Sequence, residues 1–305
     1  MSRRTTAGWL LATALLLAGC GTTTPPAAAP SPSSAAFPVS AGGVTLAVRP
    51  THIVSLSPTA TETLFAIDAG SQVSAVDDQS NYPPQAPKTT LSGFKPNVEA
   101  IAAKNPDLVV IAEDTNKIKD QLTALKIPVY QGRAARTLDD VYAQIRDLGT
   151  LTGHRPAADA LADRIKTQIK TAVQGVPKRA KPLTYYYELD PTLYSVTSKT
   201  FIGSLFTMVG LTNIADGADQ TGGGYPQLSQ EALIQADPDL IFLADTVCCQ
   251  QSIDTVRARP GWSGLTAVKT GQVVQLNDDI ASRWGPRVVE LVKAITDAVA
   301  KVPNP

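Results

Sequence analysis

Only two histidines and three cysteines occur in 305 residues. A zinc or manganese site built from several histidines and carboxylates is a poor match to such a chain, and no metal site is expected. His52 precedes an apolar run and His154 lies in a Gly-His-Arg-Pro turn, so both read as structural or solvated. Charge of one sign is also lacking. The 27 basic residues are balanced by 27 acidic ones with no long basic run, which argues against a nucleic-acid partner. Enzyme signatures are missing too: there is no Gly-x-Ser-x-Gly elbow, no phosphate loop and no His-Glu-x-x-His. No catalytic residue and no resident cofactor are therefore expected. No apolar run reaches the ~17–25 residues of a membrane-spanning helix.

What the chain does have begins at its N-terminus. Ser2-Arg3-Arg4 is a positive segment, Leu10 to Leu17 is short and apolar, and Leu17-Ala18-Gly19-Cys20 follows directly. This pattern reads as a secretion signal over 1–19, with small residues ahead of a thiol that a lipoprotein peptidase would accept. Cys20 would become the lipidated first residue, with each buried CH2 of its acyl chains contributing about 0.8 kcal/mol of membrane affinity. The alternative is an ordinary signal cleaved elsewhere. Arg3-Arg4 lacks the residues that should follow in a twin-arginine signal. Gly21 to Ala36 is nearly all Thr, Pro, Ala and Ser, a composition that cannot bury a core. Residues 20–43 are expected to be a disordered tether between membrane and domain.

Beyond the tether, apolar runs alternate with helical stretches. Val44–Val48, Ile53–Leu56, Val73–Val76, Leu108–Ile111, Val129–Tyr130, Leu183–Tyr187, Leu240–Leu243 and Val273–Leu276 are the strand candidates. Strand-helix alternation of this kind predicts an α/β fold with parallel sheets. A repeat refines the picture. Asn97-Val98-Glu99-Ala100-Ile101 through Asn105-Pro106-Asp107-Leu108 to Glu113 is echoed by Ser229-Gln230-Glu231-Ala232-Leu233 through Asp237-Pro238-Asp239-Leu240 to Asp245. Each copy reads as a capped helix, a turn and a buried strand, so the chain should form two similar lobes, over 44–152 and 178–305. Between them, 153–177 should hold one long helix opened by Pro156, with Leu161, Ile165, Ile169 and Val173 as its apolar stripe. A helical strut of that kind resists wide hinge motion.

Several of these segments together resemble the class III substrate-binding proteins of ABC importers, which serve vitamin B12, iron-siderophores and haem. The resemblance spans about Arg49 to Val302. It rests on Ile53-Val54-Ser55-Leu56-Ser57-Pro58-Thr59-Ala60-Thr61-Glu62, Asn81-Tyr82-Pro83-Pro84-Gln85, the two repeat copies, Tyr225-Pro226-Gln227-Leu228-Ser229-Gln230-Glu231 and Arg283-Trp284-Gly285-Pro286-Arg287. It implies two α/β lobes joined by one long helix, a ligand cleft between them, a monomer, and delivery of a metal chelate to a membrane permease and its ATPase. One glutamate per lobe docks on the permease in that family, and by motif these are Glu99 and Glu231. Both should lie in a first helical turn, where the helix dipole favours a carboxylate by ~0.3–1 kcal/mol, and a role as dipole partner alone is the alternative.

The local motifs are most similar to the vitamin B12-binding branch, in which aromatic rings sandwich the corrin. Carried over, the ligand-binding positions are Tyr82, Phe94 and Tyr225, with Arg283 and Asp279 from the last loop. That branch has tryptophan where this chain has Phe94 and Tyr225, and the loop at Asp279 and Ile280 lacks its aromatic neighbours. A ferric siderophore or haem is the rival ligand, for which Arg133, Arg136, Lys199 and Arg283 could supply guanidinium and ammonium groups. A structural lipoprotein without a ligand is the reading from a different class. Trp284 and the run Tyr185-Tyr186-Tyr187 read equally as core or site, and at most one face of that strand can see the cleft. Cys248-Cys249 could form a vicinal disulfide outside the cytoplasm; a free pair, a copper or haem contact and an intermolecular bridge remain open.

Overall fold

The computed structural model describes residues 36–304. Leader, Cys20 and most of the expected tether lie outside these residues. The ordered chain starts earlier than expected, because Val39–Ala41 (β1) pairs antiparallel with Val44–Leu46 (β2). Gly42 and Gly43, both at positive φ, make the tight turn between them. The expected tether therefore cannot extend to residue 43: Val39 and Ala41 pack against the core.

The first lobe runs through Ile53–Leu56 (β3), Pro58–Ala66 (α1), Val73–Val76 (β4), Val98–Ala102 (α2), Leu108–Ile111 (β5), Ile118–Ala124 (α3) and Val129–Gln131 (β6). Its strands form a parallel sheet in the order β4-β3-β5-β6. Leu138–Thr152 (α4) follows, opened by a Thr137/Asp140 capping box and closed by Gly153 at positive φ. Arg155–Gln174 (α5) is 20 residues long, ~30 Å at the helical rise. It packs against α4 on one side and, on the other, against Val288–Lys301 (α11), the last helix.

The second lobe comprises Thr184–Glu188 (β7), Phe201–Val209 (α6), Thr212–Asn213 (β8), Gln230–Ala236 (α7), Leu240–Leu243 (β9), Ile253–Arg257 (α8), Thr266–Lys269 (α9), Val273–Gln275 (β10) and Asp278–Ser282 (α10), and ends in α11. Its sheet has the order β10-β9-β7-β8. Read from the other edge, β8-β7-β9-β10 repeats β4-β3-β5-β6 strand for strand, so the sequence repeat places Leu108–Ile111 and Leu240–Leu243 at the same position of two equivalent sheets. The short edge strand β8 has too little apolar sequence to be read from periodicity.

Both sheets are covered on both faces, which explains their continuous apolar strands. Leu108 and Val110 face a central core with α4, α5 and α11, while Val109 and Ile111 face an outer core with α2 and α3. Tyr185, Tyr187, Leu240 and Phe242 meet that same central core, and Tyr186, Ile241 and Leu243 pack outward with Trp262. The central core is one continuous cluster that runs from the first sheet into the second. No tyrosine of the 185–187 run faces the cleft. All three are fully buried, Tyr185 stacked on Phe206 at 4.2 Å between ring centroids.

Candidate functional site

The carboxyl ends of the parallel strands open toward the space between the lobes, the edge at which α/β sheets present ligand-binding loops. Two adjoining hollows lie there. One, about 380 Å³, is lined by Phe94, Asp77, Glu113, Asp279, Arg283 and neighbours; the other, about 610 Å³, by Tyr225, Arg133, Arg136, Lys199 and the Gly222–Gly224 run. Glu113, Ser282 and Trp284 line both, so the two are parts of one cleft.

Phe94 and Tyr225 are the aromatic walls. Phe94 is 76% exposed and Tyr225 54% exposed, in a protein that buries most of its other large rings. Local backbone design puts them there. Gly93 allows the chain to pass so close that a Cβ would come within 2.8 Å of both the Asp77 carboxylate and the Leu56 carbonyl. Gly224, at positive φ, gives its N–H to Asp219 at 2.9 Å and accepts from Thr197 N–H at 2.8 Å, which anchors the loop that displays Tyr225. Trp284 is half-buried between the two walls and donates its indole N–H to Gln144 of α4 at 3.2 Å. It packs against the central core on one side and lines both hollows on the other.

Arg283 and Asp279 come together on the wall of the first hollow, paired within the protein. Arg283 donates to Glu62 at 2.7 Å, Asn81 at 3.1 Å, the Gln79 carbonyl at 3.0 Å and Asp279 at 2.6 Å, so both terminal nitrogens are occupied by protein acceptors. Asp279 also accepts from Asn81 at 2.8 Å. Arg287 adds a bidentate pair to the same Glu62, at 2.9 and 2.6 Å. Glu62, Gln79 and Asn81 belong to the first lobe and the two arginines and Asp279 to the second. This network ties one lobe to the other along the wall of the first hollow. Tyr82 is drawn into it: the Arg287 guanidinium lies 4.3 Å from its ring centroid, and Tyr82 lines neither hollow. Glu62 is the residue sequence reasoning passed over, quoted there only as the end of a matched segment.

Glu99 and Glu231 lie where the repeat put them. Each is exposed in the first turn of its helix, behind the N-caps Asn97 and Ser229, whose side chains accept from Ala100 and Ala232 N–H at 2.7 and 3.1 Å. Cys248 and Cys249 are joined as a vicinal disulfide in the turn after β9. Beneath that turn, Glu188 makes a bidentate pair with Arg259 at 2.6 Å for both contacts, and Asp245 is buried with neither carboxyl oxygen hydrogen-bonded. Burial, then the neighbouring Glu188 charge, pushes Asp245 up to about 7. Among the described residues no group of three or more His, Cys, Asp or Glu could hold a metal, and no helix is long and apolar enough to cross a membrane.

Two equivalent α/β lobes, one bridging helix and an aromatic cleft between strand ends define the two-lobed solute-binding architecture. The sequence profile of the periplasmic binding proteins matches residues 53–280, and the chain belongs to that family. It is 30% identical to an uncharacterized ABC transporter substrate-binding lipoprotein, YvrC, of Bacillus subtilis, over 95% of each chain. A cobalamin-binding protein of Halobacterium salinarum is also 30% identical, over 94% of this chain and 84% of that one. Among solved structures, the apo form of the periplasmic haem-binding protein RhuT from Roseiflexus superposes with a TM-score of 0.72 at 23% identity, covering 82% of this chain and 98% of that one.

Proposed function

We propose that the protein captures a corrinoid of the cobalamin class outside the cytoplasm, held to the membrane through lipidated Cys20, and delivers it to an ABC permease and its ATPase. The observation that carries this reading is the pair of exposed rings, Phe94 and Tyr225, on opposite lobes of a cleft floored by Trp284. Such rings are costly to leave in water unless something flat and largely apolar covers them, and aromatics bury ~150–250 Å² each with few rotatable bonds. The similarity to a cobalamin-binding protein along nearly the whole chain supports the same ligand class. In this reading Asp279 and Ser282 shape the wall of the cleft, and Arg283 holds that wall in place. Glu99 and Glu231, one per lobe and both exposed, serve as the docking pair for the permease.

One observation favours a second reading, an anionic chelate such as a ferric siderophore or haem. Arg133, Arg136 and Lys199 are exposed around the Tyr225 hollow, and none forms an ion pair among the described residues. Thermal unfolding of the purified protein with cyanocobalamin, haem and ferric siderophores separates the two, since a ligand at 100 times its dissociation constant stabilises by ~2.7 kcal/mol. A shift with cyanocobalamin alone supports the corrinoid reading. A shift only with an anionic chelate moves the function to the second reading, and no shift with any probe overturns both.

A further inference from the structure

The turn after β9 holds the Cys248–Cys249 disulfide, and its surroundings are unlike those of an inert crosslink. Its counterpart in the first lobe is the segment after β5, where Ala112, Glu113 and Thr115 line the cleft. Val247 is 64% exposed, Cys248 is exposed beside it and Cys249 is half-buried, so the pair lies at the surface on its Cys248 side. The backbone around them converges on two acceptors. Val247 and Cys248 donate their N–H groups to the Asp278 carboxylate at 2.9 and 2.7 Å, with the Thr246 hydroxyl at 3.2 Å. Cys249 and Gln251 N–H both point at the Asp245 carbonyl, at 3.3 and 3.2 Å.

Asp278 opens α10, whose next residue, Asp279, reaches Arg283 and Asn81 and whose last, Ser282, lines the cleft. The geometry points to a redox-sensitive brace: the disulfide fixes the 246–249 turn, the turn holds Asp278, and Asp278 positions α10 and with it the ties between the lobes. A bond between adjacent cysteines closes a small ring through the intervening peptide, so opening it frees that peptide and the amides on either side. An exposed disulfide is the kind that dithiols reach. One thiolate of an extracytoplasmic dithiol attacks a sulfur of the pair and expels the other as thiolate. Its second thiol then resolves the mixed disulfide. The dithiol loses two electrons, and Cys248 and Cys249 take up those electrons and two protons to become thiols. The turn amides then lose their common aim at Asp278, and the cleft loosens.

The test combines two readouts on the full-length protein, oxidised, reduced with dithiothreitol, and as a Cys248→Ser/Cys249→Ser double variant that is permanently open. Amide exchange of Val247, Cys248 and α10 should quicken by about tenfold in the two open forms, with α4 unchanged as an internal control. The ligand arm rests on the corrinoid reading, and there the dissociation constant for cyanocobalamin should rise by about tenfold on opening. Unchanged α10 exchange after confirmed reduction overturns the brace, as does equal cyanocobalamin affinity in all forms or two titratable thiols before any reductant. If cyanocobalamin fails to bind even the oxidised protein, the corrinoid reading fails, and the exchange data alone decide the brace.

Discussion

Oε1 of Glu62 lies 2.7 Å from Nη1 of Arg283, a contact between residues 221 positions apart in sequence. The same carboxylate receives Arg287, so one buried side chain of the first lobe pairs with two guanidinium groups of the second, and Asp279 supplies the other negative charge. Removing one member of a buried ionic group leaves the others uncompensated, at a cost of about 3–5 kcal/mol. Glu62→Ala should lower stability by that order in chemical denaturation, and more than Asp279→Ala, whose carboxylate is partly exposed. Equal and small effects of both variants would remove Glu62 from the centre of the network.

Truncating either aromatic wall should weaken ligand capture without unfolding the protein, because Phe94 and Tyr225 contribute little to the core. A buried aromatic contact is worth about 1.5–3 kcal/mol, so Phe94→Ala and Tyr225→Ala should each reduce cyanocobalamin affinity by roughly tenfold to a hundredfold. Titration calorimetry reads this directly. Unaltered affinity in both would place the ligand elsewhere.

Asp245 predicts a pH dependence. Its folded pKa, about 7, stands above the ordinary 3.8, because burial disfavours the charge and Glu188 lies beside it. The folded state therefore holds this proton more tightly than the unfolded chain. Its contribution is complete below the ordinary value and is lost as pH rises toward 7. Asp245→Asn mimics the protonated form, so its melting temperature should exceed the parent's by a margin that grows between pH 4 and pH 7 and then levels off. A margin independent of pH would show that Asp245 keeps its charge in the fold.

Glu99→Ala/Glu231→Ala should bind ligand as the parent does and yet fail to support uptake in cells that depend on the transporter. Both side chains are exposed and lie in neither hollow of the cleft, which is why affinity should be spared. Unimpaired uptake would reduce the two residues to partners of their helix dipoles.

The parts of this fold legible in sequence are those fixed by local chemistry. Leu108–Ile111 and Leu240–Leu243 announce buried strands because a sheet covered on both faces needs continuous apolar runs, and the caps Asn97 and Ser229 announce their helices. Val39–Ala41 was hidden by the Pro- and Ala-rich stretch before it, and Thr212–Asn213 by its shortness. The site was less legible, because its geometry depends on long-range pairs. Arg283 reads as a ligand contact, and only the fold brings Glu62, Gln79, Asn81 and Asp279 to its terminal nitrogens; Tyr82 reads as a cleft ring, and the fold sets it against Arg287, outside both hollows. Trp284 gave no local sign of whether it would pack inward or line the cleft.

The central core that passes unbroken from one sheet to the other has a consequence for signalling. A binding protein whose lobes swing shut tells its transporter that it is loaded by its change of outline. Here the lobes share α5 and a single apolar interior, so loaded and empty molecules should present nearly the same silhouette and the same spacing between Glu99 and Glu231. Empty molecules would then compete with loaded ones for the membrane partner. Discrimination would fall to whatever the cargo itself exposes at the rim, or to how quickly each kind of visitor departs.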